Sequence, residues 1–148
     1  MKKMRSGFEK KIDDQLRSAE VPYTYEAARL VYYIAGSYLP DFVLGTSKKV
    51  LTKDECCGKI ILEVKGHLDV DTRKKMRAVK EENPTLDIRF VLQQNGFVYK
   101  NKKGKPRRAP TSTDMRYSDW CEKYGFKWCI GEVPDVWIKE IKKTSNRK

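Results

Sequence analysis

Two apolar runs frame the chain, Leu39-Pro40-Asp41-Phe42-Val43-Leu44 and Ile60-Ile61-Leu62-Glu63-Val64-Lys65-Gly66. Both are rich in branched side chains, the first entered through Pro and the second closed by Gly, a pattern that predicts buried strands. Ahead of them, residues 6–18 read as an amphipathic helix with Ile12 and Leu16 inward, and Ser6 and Glu9 have the spacing of a capping box. Tyr23-Thr24-Tyr25-Glu26 and the run 29–34 read as strands, with a turn at Ala35-Gly36-Ser37. Residues 45–59 form a polar connection or small insertion, anchored locally by Val50-Leu51. Asp71 or Thr72 is placed to cap a helix that stops near Asn83-Pro84. Leu86-Asp87-Ile88-Arg89-Phe90-Val91-Leu92 alternates and then turns apolar, a core strand expected beside that of Glu63. The β-α-β order implies a right-handed crossover and parallel pairing. Phe97-Val98-Tyr99 is a short edge strand, and Ser112, Thr113 or Asp114 can cap a helix over 115–124 with Gly125 past its end. A strand at 126–130, a short helix starting at Pro134 and a mobile basic tail complete an α/β pattern.

Charge adds what the pattern lacks. Lys and Arg number 32 against 20 acidic residues, a net +12 over 148 residues, which points to a polyanionic partner, nucleic acid first. No basic amphipathic helix with an aromatic face favours a membrane surface, and no apolar run reaches the roughly 20 residues of a bilayer span. The basic opening lacks an apolar segment behind it, so the chain is expected to be intracellular. Cys56, Cys57, Cys121 and Cys129 match no usual zinc spacing and read as reduced thiols. The length suits one domain over 1–148. Within it are an N-terminal helix at 1–20, sheet and helices at 21–138, and a basic tail at 139–148.

Candidate chemistry sits on the two framing strands. On a strand, positions i and i+2 share a face, so Glu63 and Lys65 point one way and Val64 the other. With Asp41 on the neighbouring strand of a hairpin, two carboxylates and an ammonium would converge at one rim. Such charges are costly in an apolar element unless a metal or partner compensates them. Hard oxygen donors suit Mg²⁺. A solvated Glu63–Lys65 pair is the plain alternative. Glu9 likewise has two readings, as the reciprocal half of a helix cap or as a carboxylate aimed at this centre. Arg73, Arg77 and Lys80 form one helical stripe with Lys74 and Lys75 beside it, either a phosphate contact or a solvated face. The loop 100–108 holds Lys100, Lys102, Lys103, Lys105, Arg107 and Arg108 with no acid among them. The dense tyrosines of 23–38 fit sheet packing with hydroxyls at the edges, or base stacking. His67, the lone histidine, is left outside the site.

The pattern P-D…E-x-K resembles the signature of the PD-(D/E)xK nucleases. More of the chain, namely Arg5-Ser6-Gly7-Phe8-Glu9, Tyr38-Leu39-Pro40-Asp41-Phe42, Glu63-Val64-Lys65-Gly66, Arg73-Lys74-Lys75, Asn83-Pro84-Thr85-Leu86-Asp87-Ile88-Arg89, Cys121-Glu122-Lys123-Tyr124-Gly125 and Trp137-Ile138-Lys139-Glu140, resembles the phage-type endonuclease I family of Holliday-junction resolvases. The resemblance implies a restriction-endonuclease-like mixed central sheet flanked by helices, in a domain-swapped homodimer. It implies a phage-encoded enzyme in the host cytoplasm that hydrolyses branched DNA and leaves 5′-phosphates. It implies Mg²⁺, with Mn²⁺ able to substitute, two ions per site and no small-molecule cofactor. Asp41, Glu63 and the Val64 carbonyl would hold metal, Lys65 would act on the attacking water or transition state, and Glu9 would serve a second metal site from the partner chain. Arg5, Arg73, Lys74, Lys75, Arg77, Lys105, Arg107 and Arg108 are the candidate DNA contacts. Two rivals stay open: a nuclease of the same fold acting on duplex, mismatched or single-stranded DNA, and a non-catalytic nucleic-acid-binding module. Segment 45–59 is longer than the family's compact hairpin.

Overall fold

A computed structural model of the chain describes residues 3–32, 36–98 and 114–145, the side chains as far as 143. Its centre is a mixed five-stranded sheet in the order β1-β4-β5-β6-β7, with β1 Tyr23–Tyr25, β4 Phe42–Leu44, β5 Ile60–Lys65, β6 Asp87–Leu92 and β7 Lys127–Ile130. A separate antiparallel pair, β2 Leu30–Tyr32 and β3 Gly36–Tyr38, lies between β1 and β4 in sequence. β1, β4 and β5 run antiparallel, and β5, β6 and β7 parallel, as the β-α-β reading requires. The framing strands thus pair with Phe42 opposite Leu62 and Val43 opposite Ile61. β4 starts one residue after Asp41 because Pro40 offers no N–H to a ladder.

Strand alternation divides the core in two. Phe42, Leu44, Ile60, Leu62, Val64 and Val91 face Ile12 and Leu16 of α1 (Gly7–Ser18) and Trp137, Ile138 and Ile141 of α5 (Asp135–Ser145). Val43, Ile61, Ile88, Phe90 and Leu92 face Met76 and Val79 of α3 (Val70–Glu82), Trp120 and Cys121 of α4 (Tyr117–Lys123), and the β2–β3 pair. Helices therefore cover both faces. A fully buried arginine, Arg89 (2% exposed), joins β6 to α5 through Asp87 and Glu140, with its guanidinium over the Trp137 ring.

Several boundaries differ from those expected. α3 is capped by Asp69, whose carboxylate accepts from the Thr72 amide at 2.7 Å, and not by Asp71 or Thr72. α4 starts at Tyr117; the Arg116 amide donates to Asp119 at 2.9 Å, and Gly125 ends the helix at φ +76° as anticipated. Of Val50-Leu51 only Leu51 is an anchor, bridged to Ala28, while Val50 is exposed; a helical turn, α2 Lys53–Cys56, follows. The last helix is not short. It runs to Ser145, through residues expected in a tail, because Trp137, Ile138 and Ile141 recur at helical spacing on the core side. Phe97 makes a single bridge to Arg116, and Tyr99, Ser112 and Thr113 fall outside the described residues. No helix among the described residues is long and apolar enough to cross a membrane.

Candidate active site

The pairing of β4 with β5 brings Asp41 beside Glu63 at the rim of the sheet, on the face shared with Val43 and Ile61. The Val64 amide donates to Asp41 Oδ2 at 2.8 Å, which leaves the other oxygen for a cation. Lys65, two residues past Glu63 on the same face, reaches Glu63 Oε1 at 2.9 Å. Tyr38, at the end of β3, donates to Glu63 Oε2 at 2.6 Å. α1 then delivers Glu9 from its first turn. Ser6 caps the helix by accepting from the Glu9 amide at 3.0 Å, and the Glu9 carboxylate accepts from the Ser6 and Tyr25 hydroxyls. Glu9 thus serves the cap with its backbone and faces the cleft with its side chain. The reciprocal bond of a capping box, from the Ser6 amide to the Glu9 carboxylate, is replaced by one from the Ser6 hydroxyl.

Glu9, Asp41, Glu63 and Lys65 line one cleft of about 320 Å³ together with Arg5, Arg29, Ser37, Leu39, Val64 and Lys75. Three of its carboxylates are buried: Glu63 at 4% exposure, Asp41 at 6% and Glu9 at 7%. Burial, and then the neighbouring Glu63 charge, push the Asp41 carboxyl up to about 8 despite the Val64 amide and Lys65. Burial by itself would lower Lys65, but the Glu63 charge and hydrogen bond outweigh it and Lys65 ends raised, a firm ammonium at neutral pH. The cleft therefore sets three buried carboxyl groups against the cations of its wall, Lys65, Lys75, Arg5 and Arg29. Carboxylate oxygens of Glu9, Glu26 and Asp41 lie within 4.8 Å of one another, hard donors of the kind Mg²⁺ prefers. The oxygens of Glu63 are already engaged by Tyr38 and Lys65.

Glu26 is a member the sequence did not announce, since a glutamate ending a strand reads as a solvated terminus. It holds a left-handed backbone (φ +47°), its amide donates to the Asp41 carbonyl at 3.2 Å, and its carboxylate pairs with Arg5. A non-glycine residue costs roughly 1 kcal/mol there. Arg29 was missed too; it lines the cleft and bonds Ser37 at 2.8 Å.

The candidate DNA contacts separate. Lys75 lines the cleft with its ammonium over the Tyr38 ring at 5.7 Å, and Lys74 is exposed. Arg5 reaches the cleft but is paired with Glu26. The supposed stripe faces elsewhere. Arg73 turns back onto the Leu68 carbonyl, Arg77 stacks on Tyr124 at 4.3 Å, and Lys80 donates to the Gly125 carbonyl at 2.9 Å. Arg77 and Lys80 secure α3 to the α4–β7 corner, while Arg73 closes the turn that leads into α3. Lys105, Arg107 and Arg108 lie outside the described residues.

Comparison with known proteins identifies the family. A sequence model of the family described as phage endonuclease I matches residues 1–148. Endonuclease I of Escherichia phage T7 is 37% identical over 143 residues, covering 94% of this chain and 80% of the relative. Endodeoxyribonuclease 1 of Enterobacteria phage T3 is 36% identical over 143 residues, covering 94% and 79%. The match spans every element that builds the cleft, from the cap of α1 to the rim of β5, and the chain belongs to the phage endonuclease I family.

Proposed function

We propose that this chain is a metal-dependent, structure-selective DNA endonuclease of the PD-(D/E)xK kind that resolves four-way junctions and other branched DNA in the host cytoplasm. The observation that carries the reading is the convergence of Glu9, Asp41, Glu63 and Lys65 on one cleft of a very basic protein. Its relatives are named as endonucleases, one of them an endodeoxyribonuclease.

Asp41, Glu63, Glu9 and the Val64 carbonyl are the residues that would hold Mg²⁺ or Mn²⁺, two ions per site. Bound there, the ions would activate water at neutral pH and offset charge on the leaving oxygen. The chain's own residues do the rest. Asp41, fixed by the Val64 amide, would release its proton to solvent when a cation displaces it, and so present an oriented anion. Lys65, already an ammonium, is not the base; it stabilises negative charge gathering on the scissile phosphate. Water oxygen bonds to phosphorus as its proton passes to solvent, the bond to the 3′-oxygen breaks and that oxygen takes a proton from solvent, and the products carry a 5′-phosphate and a 3′-hydroxyl. Lys75 and Arg29 on the cleft wall are placed for flanking phosphates, which set position without reading sequence.

The working unit in this reading is a domain-swapped homodimer. The structure is a single chain and holds Glu9 beside its own Asp41. Exchange of α1, β1 and β2 between two copies would keep the same contacts while taking Glu9 from one chain and Asp41, Glu63 and Lys65 from the other. Two sites in one dimer suit paired cuts across a junction.

The test is cleavage of a labelled four-way junction with Mg²⁺ and with chelator, beside nicked and linear duplexes. Glu63→Gln and Lys65→Ala are expected to abolish cutting and keep junction binding. Either variant cutting at the wild-type rate would refute these roles. Equal cutting of linear duplex would favour the duplex nuclease. Binding that is indifferent to chelator and never breaks the strand would leave a non-catalytic module.

A further inference from the structure

The tyrosines of 23–38 admit packing or base stacking in the sequence, and the structure gives them another use. Three hydroxyls donate to carboxylates: Tyr23 to Asp13, Tyr25 to Glu9 and Tyr38 to Glu63. Their rings are not free platforms. Tyr23 and Tyr25 pack on Phe42 with centroids 5.7 and 5.3 Å away, and Tyr38 is buried under Lys75. Two of the three carboxylates are the cleft's own glutamates, each reached by one tyrosine from the strands behind it.

The other oxygen of each glutamate has a different kind of partner. Glu63 Oε1 is held by Lys65, whose ammonium must swing away to meet a phosphate; Glu9 Oε1 takes the Ser6 hydroxyl at 3.2 Å. Once Lys65 leaves, the Tyr38 hydroxyl is the bond that still fixes the plane of the Glu63 carboxylate. A hydroxyl suits this task better than a second cation, because it orients the anion without cancelling the charge a metal needs. We infer that Tyr25 and Tyr38 are positioning residues that hold Glu9 and Glu63 in the geometry for divalent cations. The inference rests on the reading of those glutamates as cation ligands. It is indifferent to a swap, because Glu9 and Tyr25 both precede the β2–β3 connection and Tyr38 and Glu63 both follow it.

The test is calorimetric titration of Mn²⁺ into the DNA-free full chain, for wild type, Tyr25→Phe, Tyr38→Phe, Tyr23→Phe, Glu9→Gln and Glu63→Gln, with melting temperature and Mg²⁺-dependent junction cleavage measured on each. Removing an outer partner of a metal ligand typically weakens binding roughly 10–100-fold. Tyr25→Phe and Tyr38→Phe should weaken Mn²⁺ binding by that factor and raise the Mg²⁺ midpoint of cleavage equally. The rate at saturating Mg²⁺ should return to near wild type, a split that a merely structural loss would not give. Tyr23→Phe, which loses the same bond to a carboxylate outside the cleft, should bind as wild type. Should buried Tyr38→Phe fail to fold, the half-buried Tyr25→Phe carries the test on its own. Wild-type binding in both cleft tyrosine variants, with binding lost in the glutamate variants, overturns the inference and spares the metal reading. Undiminished binding in Glu9→Gln and Glu63→Gln overturns that reading itself. An equal loss in Tyr23→Phe reduces the effect to general stability and also overturns the inference.

Discussion

Replacing Asp41 by Asn keeps the shape of the side chain and removes a carboxyl that burial has pushed up to about 8. In the unfolded chain the same group titrates near 3.9. The sign follows from the proton count. Below about pH 4 both states hold the proton and Asp41 contributes nothing. Between about pH 4 and 8 the folded state keeps a proton that the unfolded state has lost, so folding weakens by about 1.4 kcal/mol for each pH unit gained. Asn has no proton to keep. Asp41→Asn should therefore match wild type near pH 4, exceed it by about 3 kcal/mol at pH 6, and reach a ceiling of about 5 kcal/mol at pH 8 and above. For a chain of this size 3 kcal/mol is a rise of roughly 10 °C in melting temperature.

The assay is thermal unfolding of both proteins from pH 4 to 8.5 in chelator, repeated with Mg²⁺. A cation that binds only the folded wild type stabilises it by mass action, so the gap should shrink as Mg²⁺ is added while the melting point of Asp41→Asn stays still. Because the cation must displace the proton, apparent affinity should climb about tenfold per pH unit and level off near pH 8. A constant difference in melting temperature across pH, or a variant less stable at pH 8, would refute the claim that Asp41 is an uncompensated buried acid.

Two further outcomes follow from contacts away from Asp41. Lys75→Ala should reduce the log–log salt slope of DNA binding by about 1, the loss of one phosphate contact, whereas Arg77→Ala, whose guanidinium is stacked on Tyr124, should leave the slope unchanged; equal changes would return the whole stripe to the interface. Asp87→Ala should cost about 3 kcal/mol in denaturant unfolding by stripping the buried Arg89 of its two-pronged partner, and Glu140→Ala, which takes one bond from Arg89, should leave that pair intact and cost less. The reverse order would misassign the anchor.

Much of the fold was legible because its elements obey one period at a time. The β-branched runs, the turn residues between them and the 3.6-residue spacing of Ile12 and Leu16 each pointed to the element that formed. Boundaries failed where a local bond chose between equivalent residues. Asp69, Asp71 and Thr72 can all cap a helix, and only the chain path after Leu68 selects Asp69. The last helix outran its expected end because Ile141 reads as one apolar residue in a basic tail until Trp137 and Ile138 are seen beside it on the core.

The site divides along the same line. Asp41, Glu63 and Lys65 could be read from sequence because strand parity and one hairpin are enough to bring them together. Glu26, Tyr25 and Tyr38 could not, since their roles depend on how the β2–β3 pair and the turn after β1 fold back against the sheet. Basic residues were the least legible of all. Charge alone does not say whether a cation faces a cleft, a carbonyl or an aromatic ring, and in α3 alternate positions differ: Lys75 lines the cleft, Arg73 closes on a carbonyl and Arg77 on a ring. Excess positive charge is a property of the whole surface and identifies the class of partner. The buried carboxyl groups of the cleft are local and set against that background, and under the proposed reading this contrast would separate a cation site from the surface that meets DNA.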